Sequence, residues 1–228
     1  MIPFNIVATH SKEPTFTQGL YFDPLTSCLF ESSGLYSKSF ISKTCKTNSK
    51  SNSNRVNIPK TYFAEGLAFK DNHIFVCTYK EQTGLIYDTN LKLVGSWSYS
   101  GPGWGLTWTG SHFVMSNGTH ELKFYNSNFE YVKSLFTTVS GLNCLAYNKG
   151  FIFANIFPTN QIGIFNSSDG TVHGIVDCSS LEREARQSLS SLYDQHEPVC
   201  NGISFTERGT LLVTGKGWTK LFELELLV

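Results

Sequence analysis

The sequence predicts an all-β fold: a five-bladed β-propeller with about four strands per blade. Three observations predict it. A tetrapeptide of one type recurs five times, as TQGL ending at Leu20, AEGL at Leu67, GWGL at Leu106, LNCL at Leu145 and CNGI at Ile203. Each is followed six to nine residues later by an apolar run: LFES from Leu29, IFVCTY from Ile74, FVMSNG from Phe113, FIFANI from Phe151 and LLVTG from Leu211. Dividing 228 residues by five gives about 46 per unit, the length of a four-stranded blade.

The remaining strands follow in order. A third run stands in each unit: KSFIS near Phe40, GLIYD near Ile86, LKFYN near Phe124, IGIFN near Ile164 and KLFELEL near Phe222. A fourth stands in four units, as RVNI, LVGSWS, YVKSLF and TVHGIV. Turn signals separate the runs at Asp71-Asn72, Asn148-Lys149-Gly150, Ser168-Asp169-Gly170 and Arg208-Gly209. The fifth unit reaches the C-terminus after three strands. Its fourth is expected from PFNIVATH at the N-terminus, which joins the ends of the ring and removes an open edge. Residues 1–228 then form a single domain.

Two segments interrupt the pattern. The stretch 43–60 is rich in Ser, Asn and Lys and carries no acid; it reads as a solvated, flexible insertion. Ser179–Gln195 is the one good helix candidate. Ser179 and Glu182 fit a capping box, and Leu181, Ala185, Leu189 and Leu192 share a face. That helix is expected over a blade edge or the channel mouth.

Composition narrows function. Eighteen basic and eighteen acidic side chains give no basic surface for displacing phosphate counterions, so no nucleic-acid partner is expected. No apolar run reaches the roughly 18 residues of a membrane span. Six cysteines lie scattered with no CxxC pair, and six histidines show no paired-ligand spacing, so no metal site is predicted. Which cysteines pair stays open.

Propellers line their central channel with the innermost strand of each blade. Aligning the five tetrapeptides places Gln18, Glu65, Trp104, Asn143 and Asn201 at one equivalent position, beside Gly19, Gly66, Gly105, Cys144 and Gly202. One carboxylate, three carboxamides and an indole are expected to meet in a polar cup, a default binding site. One carboxylate is too few for a calcium site or for a glycosidase pair. No GxSxG elbow is present, and GPGWGL does not match a GxGxxG phosphate loop. Lys216, between Gly215 and Gly217 at the end of a second strand, is placed to lean over the cup; its counterpart in the second unit is near Tyr79.

Taken together, FTQGL (16–20), LFESSGLYSKS (29–39), YFAEGLA (62–68), GWGLT (103–107), MSNGT (115–119), LNCLAY (142–147), ANIFPTN (154–160), CNGISF (200–205) and VTGKGWTKLFEL (213–224) resemble the plant-type glutaminyl-peptide cyclotransferases. The resemblance covers nearly the whole chain. It implies a five-bladed propeller that converts the N-terminal glutamine of peptides and proteins to pyroglutamate and releases ammonia, with no cofactor and no metal. It implies Glu65 as proton shuttle and Lys216 as the cation that stabilises the oxyanion. Gln18, Asn143, Asn201, Trp104, Tyr79 and Phe157 would bind the substrate.

The sequence departs from the family pattern in places. Cys144 and Ala146 replace acids after Asn143, Asn117 and Asn160 stand where Asp is usual, and Phe157 and Tyr79 stand where Trp is common. The lost acids are expected to weaken the ordering of the site or amine binding. A non-catalytic propeller that binds peptide N-termini is the alternative reading, and a rim scaffold a third. A closed ring predicts a monomer. The family works in the secretory pathway or bacterial periplasm, but the start of this chain lacks the basic and apolar regions of a signal peptide. Localisation stays open.

Overall fold

A computed structural model describes residues 1–47, 50–186 and 198–227. These residues form five four-stranded antiparallel sheets. β1 (Phe4–Ser11) comes first in the chain. Blade 1 is β2 (Thr17–Asp23), β3 (Cys28–Ser33), β4 (Phe40–Thr47) and β5 (Lys50–Asn57). Blade 2 is β6 (Ala64–Lys70), β7 (His73–Thr78), β8 (Thr83–Asp88) and β9 (Leu93–Ser98). Blade 3 is β10 (Leu106–Trp108), β11 (Phe113–Ser116), β12 (Glu121–Tyr125) and β13 (Tyr131–Phe136). Blade 4 is β14 (Leu142–Asn148), β15 (Phe151–Ile156), β16 (Gln161–Asn166) and β17 (Val172–Asp177). Blade 5 is β18 (Cys200–Phe205), β19 (Leu211–Gly215) and β20 (Lys220–Leu226), completed on its outside by β1. The register runs from Phe4↔Leu226 to Ser11↔Lys220, so the N-terminal strand closes the ring as the repeat count requires.

The turn residues are where strand direction reverses. Asp71 and Asn72 have φ of 49° and 58°, the left-handed pair of a type I′ hairpin. Lys149 and Gly150 repeat this at 45° and 89°. Apolar side chains alternate along the strands and pack between neighbouring blades. Phe30, Ile41, Ile74 and Val76 join blades 1 and 2, and Ile162, Ile164, Val213 and Phe222 join blades 4 and 5. The seam between blades 5 and 1 is thinner. It holds buried Leu20, Leu212 and Leu221, and a cleft of about 500 Å³ runs beside them.

Two expectations change. The stretch expected as an insertion lies in blade 1, because its Thr, Ser and Asn residues pair β4 to β5 from Phe40↔Asn57 to Thr47↔Lys50. Polar runs suit an outer strand with one solvated face. Cys28 and Cys45 stand directly opposite on β3 and β4 and form a disulfide; Cys77, Cys144, Cys178 and Cys200 are free and buried. The helix α1 is described over Ser179–Arg186; Leu189, Leu192 and the rest of the expected helix to Gln195 lie outside the described residues. Its N-terminus is held by Asp177, whose Oδ1 accepts from Ser179 N at 2.9 Å and Ser179 Oγ at 2.6 Å, instead of by a Ser179–Glu182 box. Leu181 and Ala185 bury against blades 4 and 5.

Candidate active site

The sequence alignment placed one polar residue at the start of each inner strand. The structure shows what aims them. The ladder to the second strand slips between Thr17 and Gly19, between Ala64 and Leu67, between Leu142 and Leu145, and between Cys200 and Ile203. Gln18, Glu65, Asn143 and Asn201 therefore sit in β-bulges, which turn side chains out of simple alternation. In blade 3, β10 starts only at Leu106, and Trp104 hangs on β11 through Trp104 N to Ser116 O at 2.9 Å.

The neighbouring glycines let the four bulges and the Trp104 segment crowd together. A Cβ on Gly66 would strike Leu106 N and the Gly105 backbone, and one on Gly105 would strike Asn143 O. Hydroxyls from the second strands lock two of the bulges to the preceding blade: Ser32 Oγ donates to Glu65 O at 2.5 Å and Ser116 Oγ to Asn143 O at 2.8 Å.

Gln18, Glu65, Asn143 and Asn201 are all buried. Asn201 Nδ2 donates to Gln18 Oε1 at 2.8 Å and to Thr17 O at 3.0 Å. Among the described residues, three acceptors on this floor have no hydrogen-bond partner: Glu65 Oε2, Asn143 Oδ1 and Asn201 Oδ1. Buried acceptors left unused are costly, so this floor has capacity for further hydrogen-bond donors.

Above the floor, aromatic rings make a circle. Phe16 meets Phe63 at 6.2 Å, Phe63 meets Tyr79 at 5.8 Å, Tyr79 meets Trp104 at 6.4 Å and Trp104 meets Phe157 at 5.7 Å, centroid to centroid. Lys216 closes the circle, its Nζ 4.8 Å from the Phe16 centroid and 4.9 Å from that of Phe157. Directly after β19, Lys216 is only 7% exposed. Backbone bonds fix its turn: Lys216 N donates to Val199 O at 3.0 Å and Gly217 N to Thr15 O at 2.7 Å.

Burial drives the electrostatics. Desolvation pushes the Glu65 carboxyl well above its usual range, the Lys216 ammonium pulls it back, and Glu81 adds a smaller upward push. Desolvation also lowers Lys216, while Glu65 supports its charge. The site thus holds a carboxyl and an ammonium that each exchange protons nearer neutrality than on the surface.

All eight residues singled out in the sequence gather at this end of the channel. The structure adds Phe16 and Phe63, which the sequence reading missed. Their signal was present: each stands two residues before the polar position, in FTQGL and FAEGL. The replaced acids are also placed. Asn160 Oδ1 accepts from Cys200 N at 2.8 Å, and Asn117 Oδ1 accepts from Thr119 N at 3.1 Å in the turn whose Gly118 lies against the Trp104 ring. Both amides make ordering bonds without charge. Cys144 and Ala146 are buried, and burial pushes the Cys144 thiol up to about 11, so this strand adds no charge below the floor.

Comparison with known proteins agrees with this geometry. A sequence model described as glutamine cyclotransferase matches residues 1–226. The chain is 31% identical over 231 aligned positions to the glutaminyl-peptide cyclotransferase of Arabidopsis thaliana, spanning 97% of this chain and 70% of that one. The fold superposes on the crystal structure of Myxococcus xanthus glutaminyl cyclase with a TM-score of 0.86 and 27% identity, over 99% of this chain and 97% of that one. On these matches, the chain belongs to the glutamine cyclotransferase family of acyltransferases.

Proposed function

We propose that this protein converts an N-terminal glutamine of peptides to pyroglutamate with release of ammonia, using no metal, with Glu65 as the proton shuttle. The observation that carries the reading is the set of three unpartnered acceptors beside one cation. An N-terminal glutamine is the complementary ligand. Its α-amine and γ-amide nitrogen supply N–H donors for Glu65, Asn143 and Asn201. Its γ-carbonyl oxygen supplies the acceptor for Lys216. The aromatic circle walls the side chain's methylenes.

Cyclisation needs one new bond and one broken bond. The neutral α-amine attacks the γ-carboxamide carbon, forming the ring C–N bond and placing negative charge on the oxygen. The Lys216 ammonium faces that charge in a site shielded from water, where a fixed cation acts strongly. Glu65 takes the proton that the attacking nitrogen must lose. It then delivers that proton to the departing nitrogen, the C–N bond to that nitrogen breaks, and ammonia leaves. One carboxyl serves both steps because its raised pKa suits both acid and base work. Folding the side chain back towards its own amine makes the attack intramolecular, which supplies much of the rate. Carboxamides and a lysine are weak metal ligands beside a lone carboxylate, and Lys216 fills the electrostatic role that a metal would otherwise take.

The test is direct. Purified protein is incubated with a Gln-initiated peptide and excess chelator, and loss of ammonia mass is followed by mass spectrometry. Turnover that survives chelator and disappears in Glu65→Gln is expected. Tight binding of the peptide without turnover would replace this reading with a non-catalytic receptor for peptide N-termini.

A further inference from the structure

Outside the aromatic circle the rim carries one carboxylate that the chemistry above does not use. Glu81 lies in the tight turn between β7 and β8. That turn is pinned by Tyr79 N to Phe63 O at 3.0 Å, Thr83 Oγ1 to Glu81 O at 3.0 Å, and Gly101 N to Gln82 Oε1 at 3.2 Å. Its side chain is held as firmly. Glu81 Oε1 accepts from Tyr36 Oη at 2.7 Å, across the boundary between blades 1 and 2, and Oε2 accepts from Lys80 N at 3.3 Å.

Tyr36 in turn packs on Phe63 of the circle, 5.4 Å between centroids, while staying 46% exposed. The bond to Glu81 pushes the Tyr36 phenol up to about 12, so Tyr36 stays the donor and Glu81 the acceptor. Glu81 is also close enough to act electrostatically on Glu65. This is a preorganised carboxylate one layer above the cup.

We propose that the Tyr36–Glu81 pair is the subsite for the residue that follows the substrate's N-terminal glutamine, and that it selects a cationic side chain there. The inference rests on the function proposed above. With glutamine seated in the cup, the next residue is the first to emerge past the rings, and a fixed carboxylate meets it. Lys80 is the opposing charge on this rim. Its Nζ lies 4.9 Å from the Tyr79 centroid, over the ring face. A rim ion pair of this kind changes specificity by about three- to fivefold, and its effect fades as salt rises.

The experiment measures kcat/KM for three peptides identical except for Lys, Ala or Glu after the initial glutamine. It uses the intact protein, Glu81→Gln and Lys80→Gln, at low and high salt. The ratio of Lys to Glu peptide is the readout, because it is independent of any general loss of activity. We expect a ratio of about ten in the parent protein at low salt, falling to about two in Glu81→Gln and rising in Lys80→Gln. An unchanged ratio in Glu81→Gln, or a parent preference for the Glu peptide, overturns the proposal. If no peptide is cyclised, the function reading fails instead. The same ratio is then read from binding, through quenching of Trp104 fluorescence with Trp104→Phe as the control. Equal affinities there overturn the subsite as well.

Discussion

Among the buried glutamates of the described residues, two are used in opposite ways. Glu31 lies in the seam between blades 5 and 1, 7% exposed; Glu65 lies on the channel floor, 5% exposed. Both have a lysine partner. Glu31 gathers three donors on Oε1: Lys12 donates at 3.1 Å, Thr17 at 2.6 Å, and Thr15 donates as well. Glu65 keeps Oε2 without any partner. Burial therefore does not distinguish a structural carboxylate from a reactive one. Unused hydrogen-bonding capacity does, because folding alone gives no reason to leave a buried acceptor empty. In the seam, polar bonds stand where apolar packing is thin; on the floor, they wait for a ligand.

Exchanging the two glutamates for neutral residues breaks this comparison most sharply. Glu65→Gln keeps the shape but removes the carboxyl proposed as proton shuttle, and turnover is expected to fall by about 10²–10⁴. Circular dichroism should be unchanged. Glu31→Ala should do the reverse. It leaves Lys12 buried without its carboxylate, at a cost of about 3–5 kcal/mol in denaturant unfolding, while kcat of the folded fraction stays within about threefold. If Glu31→Ala abolished turnover in a folded sample, the seam and the floor would not be separable.

The next effect concerns the lysines. Lys216→Met should lower kcat by about 10²–10³, the usual loss for one oxyanion-stabilising group. The profile of kcat against pH carries more information. Glu65 must be ionised to accept the proton, so kcat falls as pH drops through its raised pKa. Lys216 must be protonated, and its pKa is lowered, so kcat falls again on the alkaline side, below the range of a surface lysine. Lys216→Arg keeps the charge at all accessible pH and should remove the alkaline limb while leaving the acid limb. An alkaline limb that survives this change would assign it to another group.

Much of this was legible in the sequence. The five tetrapeptides gave blade number, strand order and the five axis positions, because a repeat forces equivalent residues into equivalent places. The N-terminal closure followed from counting three strands in the last unit. What was not legible depends on interactions between units. The bulges at Gln18, Glu65, Asn143 and Asn201 arise from glycine-permitted crowding between neighbouring inner strands, and simple alternation does not foresee them. The third and fourth strands of blade 1 were read only at KSFIS and RVNI; their extension through the polar tract was missed because Ser, Asn and Lys are poor strand formers in isolation, whereas the β4–β5 pairing and the Cys28–Cys45 bridge hold it. The partner of Glu31 was hidden because Lys12 stands in the irregular segment between β1 and β2, outside the repeat that orders the strands.

The smallest expected effect tests whether the floor carboxyl costs stability. Glu65 titrates near 4.5 when unfolded and well above that when folded. Between those two values the native state keeps a proton that the unfolded state has released. The unfolded state then binds fewer protons, so stability falls as pH rises across that window, by at most about 1.4 kcal/mol per pH unit. Below 4.5 the contribution is fully present; above the folded pKa it is lost. Denaturant unfolding of the parent protein and Glu65→Gln over this range should therefore give curves of different slope, with the variant gaining on the parent as pH rises. Glu65→Gln also removes the charge that supports the Lys216 ammonium, so the same pair of curves in a Lys216→Met background separates the Glu65 slope from any Lys216 contribution. Parallel curves would mean that Glu65 is solvated and hydrogen-bonded like an ordinary carboxylate. The contrast with Glu31 would then rest on activity alone. Diverging curves would show that the fold carries a standing cost at Glu65, which is what a site held open for a substrate requires.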